Sequence, residues 1–325
     1  MSDLFGRAQQ ALFEGLVQPL LFALGLSSVL EDAFAATGWL LVGLLQLVVM
    51  VTLIGALQRW RPVEPLQDRA AVRTDIVYTL VHRLGLFRVA SFFTLEPVWL
   101  WLAGQARLAG IDGWHLDQVW PGVTDRPWVS LVLYLVVFDA LDWAIHRAQH
   151  HFHWWWQLHA LHHSQRQMTM WSDNRNHLLD DVLRDSMFAL VALALGVSPA
   201  QFVLIVALTQ LLESLSHANV RLDFGPVLSR WLVSPRYHRE HHAIGTQGRQ
   251  NLNFAVLCPL WDRLAGTAHF GGGTGPTGVL DQLPAHGGRD YGRGFWGQQW
   301  RGLQRLTRSL KGSLTGSLTG LSSRR

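Results

Sequence analysis

Residues 128–163 read WVSLVLYLVVFDALDWAIHRAQHHFHWWWQLHALHH. The first eleven are uncharged, and the apolar run continues to Ile145 with only Asp139 and Asp142 set into it. It then becomes His146-Arg-Ala-Gln-His150-His151 and, beyond three consecutive tryptophans, His159-Ala-Leu-His162-His163. An apolar run of this kind reads as a helix inside a bilayer, where a carboxylate is costly and marks a functional site. Asp139, Asp142, His146 and His150 recur at helical spacing and so lie near one face. The stretch therefore predicts a membrane helix that delivers carboxylates and imidazoles to a polar site at its inner end.

The flanking chain divides into membrane and non-membrane pieces. Residues 36–57 carry no charge and a single amide, Gln46. As a helix they would span ~33 Å, enough for a hydrocarbon core of roughly 30 Å. Arg59 and Arg61 follow at once, which assigns that end to the cytoplasm by the positive-inside rule. Residues 16–30 form a short apolar piece broken by Pro19 and Gly25, read as interfacial or re-entrant. A second span is expected over about 76–102, with a polar outside loop from Arg107 to Pro127. Residues 186–212 are uncharged but broken at Gly196-Val-Ser-Pro199. Each half, at about a dozen residues or ~18 Å, is too short to cross, so the pair reads as a hairpin that dips in and returns. From 271 to 325 glycine, serine and arginine dominate, and no fold is expected. The organisation is then an N-terminal membrane region (1–127), a histidine-bearing domain (128–270) and a disordered tail (271–325).

Composition excludes several classes. Hydrophobic residues are 49% and charged residues 15%, below the roughly 25% usual for soluble domains. The single cysteine, Cys258, rules out a disulfide framework and a thiolate-based zinc or iron–sulfur site. The net charge of +4 is local, since residues 301–325 hold six bases and no acid. With no basic stripe through the body, nucleic acid is not a partner, and the basic tail suits anionic lipid. Sixteen tryptophans fit a protein at a membrane interface.

The histidines carry the chemistry. Twelve of 16 lie between residues 146 and 242, and a third cluster, His238-Arg-Glu-His241-His242, repeats the spacing of the second. Residues at i, i+3 and i+4 share a helix face, so two or three rings from each cluster can converge. Imidazole suits zinc, copper, nickel and iron, and eight or more ligands exceed what one ion takes. Two metals are implied. His82, His115, His153, His269 and His286 stand outside the pattern and read as ordinary surface or core residues. His151, His177, Asp139, Asp142 and Asn219 are candidates for the metal shell or its immediate support, Asp142 as acceptor of the second ring N–H of His146. Glu240 and Asp262 read as structural or ion-pair residues.

These motifs resemble the fatty acid hydroxylase/sterol desaturase superfamily of integral-membrane di-metal oxygenases. The resemblance rests on Asp139, Trp143-Ala-Ile-His146-Arg-Ala-Gln-His150, Trp156-Gln-Leu-His159-Ala-Leu-His162-His163, Arg175-Asn-His177, Ser216-His217-Ala-Asn219, Pro235-Arg-Tyr-His238-Arg-Glu-His241-His242 and Asn253-Phe…Leu260-Trp-Asp262…Gly266-Thr267. It covers about residues 128–270. It implies an all-α membrane bundle with a cytosolic helical cap, and a metal shell of His146, His150, His159, His162, His163, His217, His238, His241 and His242. Leu178 stands where a proline usually follows His177, which sets that residue apart.

The resemblance further implies two non-haem irons that activate dioxygen against an unactivated C–H bond, giving a hydroxyl group or a double bond. The substrate would be a lipid: fatty acyl, sterol-like or carotenoid-like. No dinucleotide fingerprint or haem motif occurs, so electrons are expected from a separate reductase or small redox protein. The expected location is a bacterial inner membrane with the site facing the cytoplasm. Two other classes fit parts of the pattern. A membrane metal-binding or transport protein would place its ligands along a pathway, whereas these sit at and beyond span ends. A zinc-dependent hydrolase needs three ligands and an open position, not eight histidines.

Overall fold

The computed structural model describes residues 2–111, 113–244, 251–272 and 275–322. It is helical, with no strand among the described residues. Helix α1 (Ser2–Leu12) continues through a turn of wider pitch to Ala23. Gly25, in the left-handed region at φ 70°, reverses the chain into α2 (Ser27–Trp60). Gln9 donates to the Phe34 carbonyl and Phe13 packs edge-on against Phe34, so residues 16–30 form the closed end of an antiparallel pair, with the turn itself at residues 24–26.

α2 contains the whole of the uncharged window and extends past both ends of it. Glu31 and Asp32 fall in its first turn and Arg59 near its last, the ends at which the helix dipole favours each charge. Its apolar side chains Leu44, Leu45, Val48, Val51 and Leu53 face outward, as they must toward acyl chains.

The second span, expected over about 76–102, is not one continuous helix. It is divided into α3 (Arg69–Arg83), α4 (Leu86–Thr94) and α5 (Glu96–Leu108), with α3 and α4 bent by 51°. Gly85, at φ 78°, makes the break. The cause lies in Arg83, which turns inward instead of facing lipid. It pairs with Asp173 at 2.9 Å and donates to Gln46, Gln210 and Ser214. An ion pair this deeply buried needs partners for its remaining donors, and three polar side chains supply them to both terminal nitrogens, leaving only Nε buried without one. Gly43 of α2 sits against the Arg83 carbonyl, where a Cβ would come within 1.7 Å. α2 and α3 thus touch backbone to backbone.

α6 (Pro127–His151) opens on proline and runs from the far side to the site; α7 (His153–His163) follows after an extended Phe152. α8 (Leu178–Leu195) and α9 (Pro199–Ser216) form a hairpin around left-handed Gly196, with Ser198 capping α9. Its arms are longer than the expected dozen residues. Each has 18, or ~27 Å of helix. The uncharged window missed the first turns of α8 because Asp180, Asp181 and Arg184 belong to the helix and face His159, His82 and Asp142 inside the bundle. The hairpin tip lies beside the loop before α6: His115 stands against Gly196, and Tyr134 donates to the Leu195 carbonyl. The short α10 (Pro235–His241), capped by Ser234, and α11 (Leu260–Ala265) complete the site end.

The tail departs most from expectation. Residues 271–325 are not without structure: Gly294–Ser322 is a helix, α12, lying along α7. Its inner face is polar. Gln298, Gln299 and Arg305 are buried, so apolar periodicity carried no signal. Gln299 donates to the Tyr78 hydroxyl and the Asn176 carbonyl and accepts from the Leu178 amide. Arg305 donates to the Gln157 carbonyl of α7 at 3.1 Å and lies over the Tyr291 ring. Gly302 passes so close to the His177 ring that a Cβ would meet it at 2.2 Å.

Candidate metal centre

Four segments bring imidazoles to one place. α6 ends in His146 and His150, one helical turn apart. α7 presents His159, His162 and His163. His217 follows the last residue of α9, and α10 carries His238, His241 and His242 at its end. Eight of these nine are buried, and the ninth, His150, nearly so.

The rings sort into two groups. His146, His150, His159 and His163 offer ring nitrogens within 4.8 Å of one another, as do His162, His217, His238 and His242. His163, His241 and His242 form a third set joining the two. Within the groups Nε2 atoms face Nε2 atoms: His150 to His163 at 3.0 Å, His217 to His162 at 3.2 Å, His238 to His217 at 3.0 Å and to His242 at 3.1 Å. Ligands about 2.1 Å from an ion, at right angles, stand about 3.0 Å apart, and tetrahedral ones about 3.4 Å apart. The observed edges match such shells.

Four of the outer nitrogens are tied down, whereas Nδ1 of His162, His238 and His242 is buried without a protein partner. His146 Nδ1 lies 2.8 Å from the Phe254 carbonyl, His159 Nδ1 3.1 Å from Asp180, His217 Nδ1 2.8 Å from the Glu213 carbonyl and His241 Nδ1 2.6 Å from the Leu252 carbonyl. An oxygen acceptor places the ring proton on Nδ1 and leaves the Nε2 lone pair inward. The Nε2 atoms of His146, His159 and His241 are buried without a protein partner. A buried polar atom left unpaired is costly, and three aimed into one space are what metal ligands look like before the metal is counted. Burial first, then neighbouring imidazoles, hold His162, His163, His238 and His242 well below the ordinary histidine range. Burial likewise takes His241 down to about 4. Neutral imidazole is the form that binds metal.

Other expected residues fall elsewhere. Asp142 does not receive the His146 N–H; it forms a bidentate pair with Arg184 at 2.9 and 2.7 Å. Asp139 accepts from the Trp261 indole and the Leu257 amide, pinning the 253–262 segment to α6. His177 caps α8 and meets the Gln299 carbonyl, and Asn219 binds the backbone of Val63 and Glu64. His151 is exposed at the end of α6 beside Phe152. None of these five belongs to the imidazole groups. Nor do His82, His115, His153, His269 and His286.

Asp180 is the side chain beside the imidazole groups that no motif marks. Beside His159 it accepts from the Trp155 indole at 2.6 Å and the Gln149 amide at 2.8 Å. A carboxylate three residues past His177, at the start of a helix otherwise headed into the membrane, is the only hint the sequence holds. Asp262 is a buried hub, accepting from Trp143, Tyr237, Thr267 and the amides of Phe254 and Ala255. It fixes the carbonyl that His146 uses.

The fold and site define a class: a helical protein with, among the described residues, three helices long and apolar enough to cross a membrane and a buried cluster of histidines that could hold metal. The family model for fatty acid hydroxylase matches residues 131–267. Among curated proteins the chain is 29% identical over 222 residues to ornithine lipid hydroxylase OlsE of Rhizobium tropici, covering 67% of this chain and 64% of that one. It is 29% identical over 154 residues to fatty acid hydroxylase vlmA of Lecanicillium sp, covering 43% and 41% respectively. It is 28% identical over 199 residues to alkylglycerol monooxygenase of Danio rerio, covering 60% and 40%. The chain thus spans less than two thirds of each of these relatives. No solved structure matches it significantly. Residues 131–267 are thus similar to the fatty acid hydroxylase family, and the chain resembles lipid hydroxylases and monooxygenases of that family.

Proposed function

We propose that this protein is a membrane-bound di-iron oxygenase that hydroxylates an unactivated C–H position of a lipid, with dioxygen and electrons from a separate donor protein. The observation that supports this most is the set of inward, unpartnered Nε2 atoms of His146, His159 and His241, each with its Nδ1 proton already committed. The residues present fit two ions: His146, His150, His159 and His163 would hold one, and His162, His217, His238 and His242 the other, with His241 between them. Two irons in all-imidazole shells supply dioxygen activation, chemistry that amino-acid side chains lack.

The chain's own part is orientation and exclusion. Asp180 and the carbonyls of Phe254, Leu252 and Glu213 fix four ring planes. Burial of the rings keeps bulk water from a strongly oxidising site. His146 and His150 end a membrane helix, so a lipid reaching them enters laterally, and Trp156, packed on His150 and His163, walls that approach. The relatives' names concern ornithine lipids, fatty acids and alkylglycerols. A long-chain lipid with a polar head is the chemistry those names share, and it is the substrate class we assign. The basic flank of α2 and the site share one side, since Arg221 donates to the Arg61 carbonyl, and this supports a cytoplasmic site in an inner membrane.

The test is metal analysis combined with lipid profiling. Protein purified under reducing conditions without chelator should hold about two iron ions per chain. Cells expressing it should accumulate a lipid heavier by one oxygen, only in air. Zinc in place of iron, or a hydrolysed lipid, would favour a hydrolase. Metal without any oxygen-dependent lipid would favour a binding protein.

A further inference from the structure

Helix α12 has a second face that the fold does not use. Trp296, Trp300, Leu303 and Leu310 are 75, 61, 38 and 45% exposed. Their spacing places them in one stripe along the helix. The inner face, through Gln299, Gly302 and Arg305, is occupied by α7 and the start of α8. Exposed Arg308 and Lys311 line one flank of the stripe, Arg301 on the same flank pairs with Asp290 at 3.1 Å, and residues 294–325 contain no Asp or Glu. The helix also lies at the level where the bundle ends. Phe295 packs on Tyr78, five residues before the intramembrane Arg83, and Gln299 holds the first amide of α8.

We propose that this outer face of α12 lies on the anionic lipid headgroups at the site end of the bundle. The proposal rests on the membrane placement of the chain and not on the oxygenase reading. An apolar stripe this long is a liability in water and normally marks an interaction surface. Tryptophan, apolar in its body and polar at its N–H, suits the headgroup level. A helix segment that carries bases and no acidic residue is attracted to anionic lipid. Inner-face contacts run to the backbone of α7, which carries His159, His162 and His163. A lipid-seated α12 therefore braces the metal centre from outside.

The experiment uses the full chain in nanodiscs that hold one copy each. A Leu303→Cys variant, with Cys258→Ser to remove the native thiol, carries a bimane label. Quenching by doxyl-labelled lipid should be strong in discs containing phosphatidylglycerol, weak in pure phosphatidylcholine, and reduced by added salt. Adding Arg308→Gln and Lys311→Gln should lower the docking equilibrium by about fivefold per base removed. Equal exposure to aqueous iodide in every disc would overturn the proposal. So would lipid quenching indifferent to headgroup charge, or protection seen only in discs with two copies, which would make the stripe a self-association surface.

Discussion

At the residue scale the question is which side chains set the imidazoles and which only surround them. The ligand candidates were legible because imidazoles at i, i+3 and i+4 have no simpler use when the pattern repeats three times. Their supports were not, because a backbone carbonyl has no sequence signature and an aspartate's partner depends on tertiary packing. Asp142 stands four residues before His146, the right spacing for contact, yet Arg184 from another helix claims it. Asp180 does the work instead, for a different ring. Asp180→Asn should therefore weaken metal retention by roughly 10- to 100-fold and leave the helical content unchanged, measured by chelator competition and circular dichroism. His162→Ala and His241→Ala should each lower bound metal and abolish turnover. His151→Ala and His286→Ala should do neither, since neither ring joins a group. Retained metal in both of the first pair would refute the assignment of ligands.

At the element scale, apolar length located the spans but misjudged their ends and bends. Hydropathy counts a charge as an end, whereas a paired charge is tolerated inside; Arg83 with Asp173 and Arg184 with Asp142 show why α3 breaks and α8 begins early. α12 was invisible for the converse reason: its inner face recognises backbone carbonyls and amides through amides and a guanidinium. Deletion from residue 294 should strip Gln299 from the start of α8 and Arg305 from Gln157. Melting temperature and metal content should both fall, whereas a stop after Gly312 should preserve both. Gly302→Leu tests the same contact without shortening the chain. The larger side chain must displace α12 from the His177 ring, and thermal stability should drop by about 1–3 kcal/mol, the usual cost of overpacking. A stable, metal-replete deletion would show that α12 is an appendage.

At the scale of the whole molecule, the argument concerns sidedness. All nine imidazoles lie at one end of the bundle, so every segment that carries one must reach the same side. The helix path satisfies this. α2 arrives beside Arg61, α3 starts again from there, and the loop before α6 meets the α8–α9 tip at Gly196 on the far side. α6 then returns to the site, and the hairpin leaves at Asp180 and comes back at His217. The sequence suggested the return of the hairpin, since histidines flank it. It did not reveal the depth, because that depends on charged turns absorbed into α8. Labels at exposed positions decide the arrangement. In a Cys258→Ser background, Arg166→Cys and Arg230→Cys lie at the site end, and Val119→Cys lies in the loop beside the hairpin tip. With right-side-out vesicles, a membrane-impermeant maleimide should react with position 119 and spare 166 and 230. Inverted vesicles should give the opposite pattern. Reaction of 166 and 230 from different sides would separate His163 from His238 across a bilayer, and no shared metal centre would survive that result. All three labels reacting from one side would mean that α8 and α9 do not reach the far leaflet. Reversal of the whole pattern would keep the centre intact but turn it outward, away from cytoplasmic reductants, and the electron supply would then have to be sought on the other side.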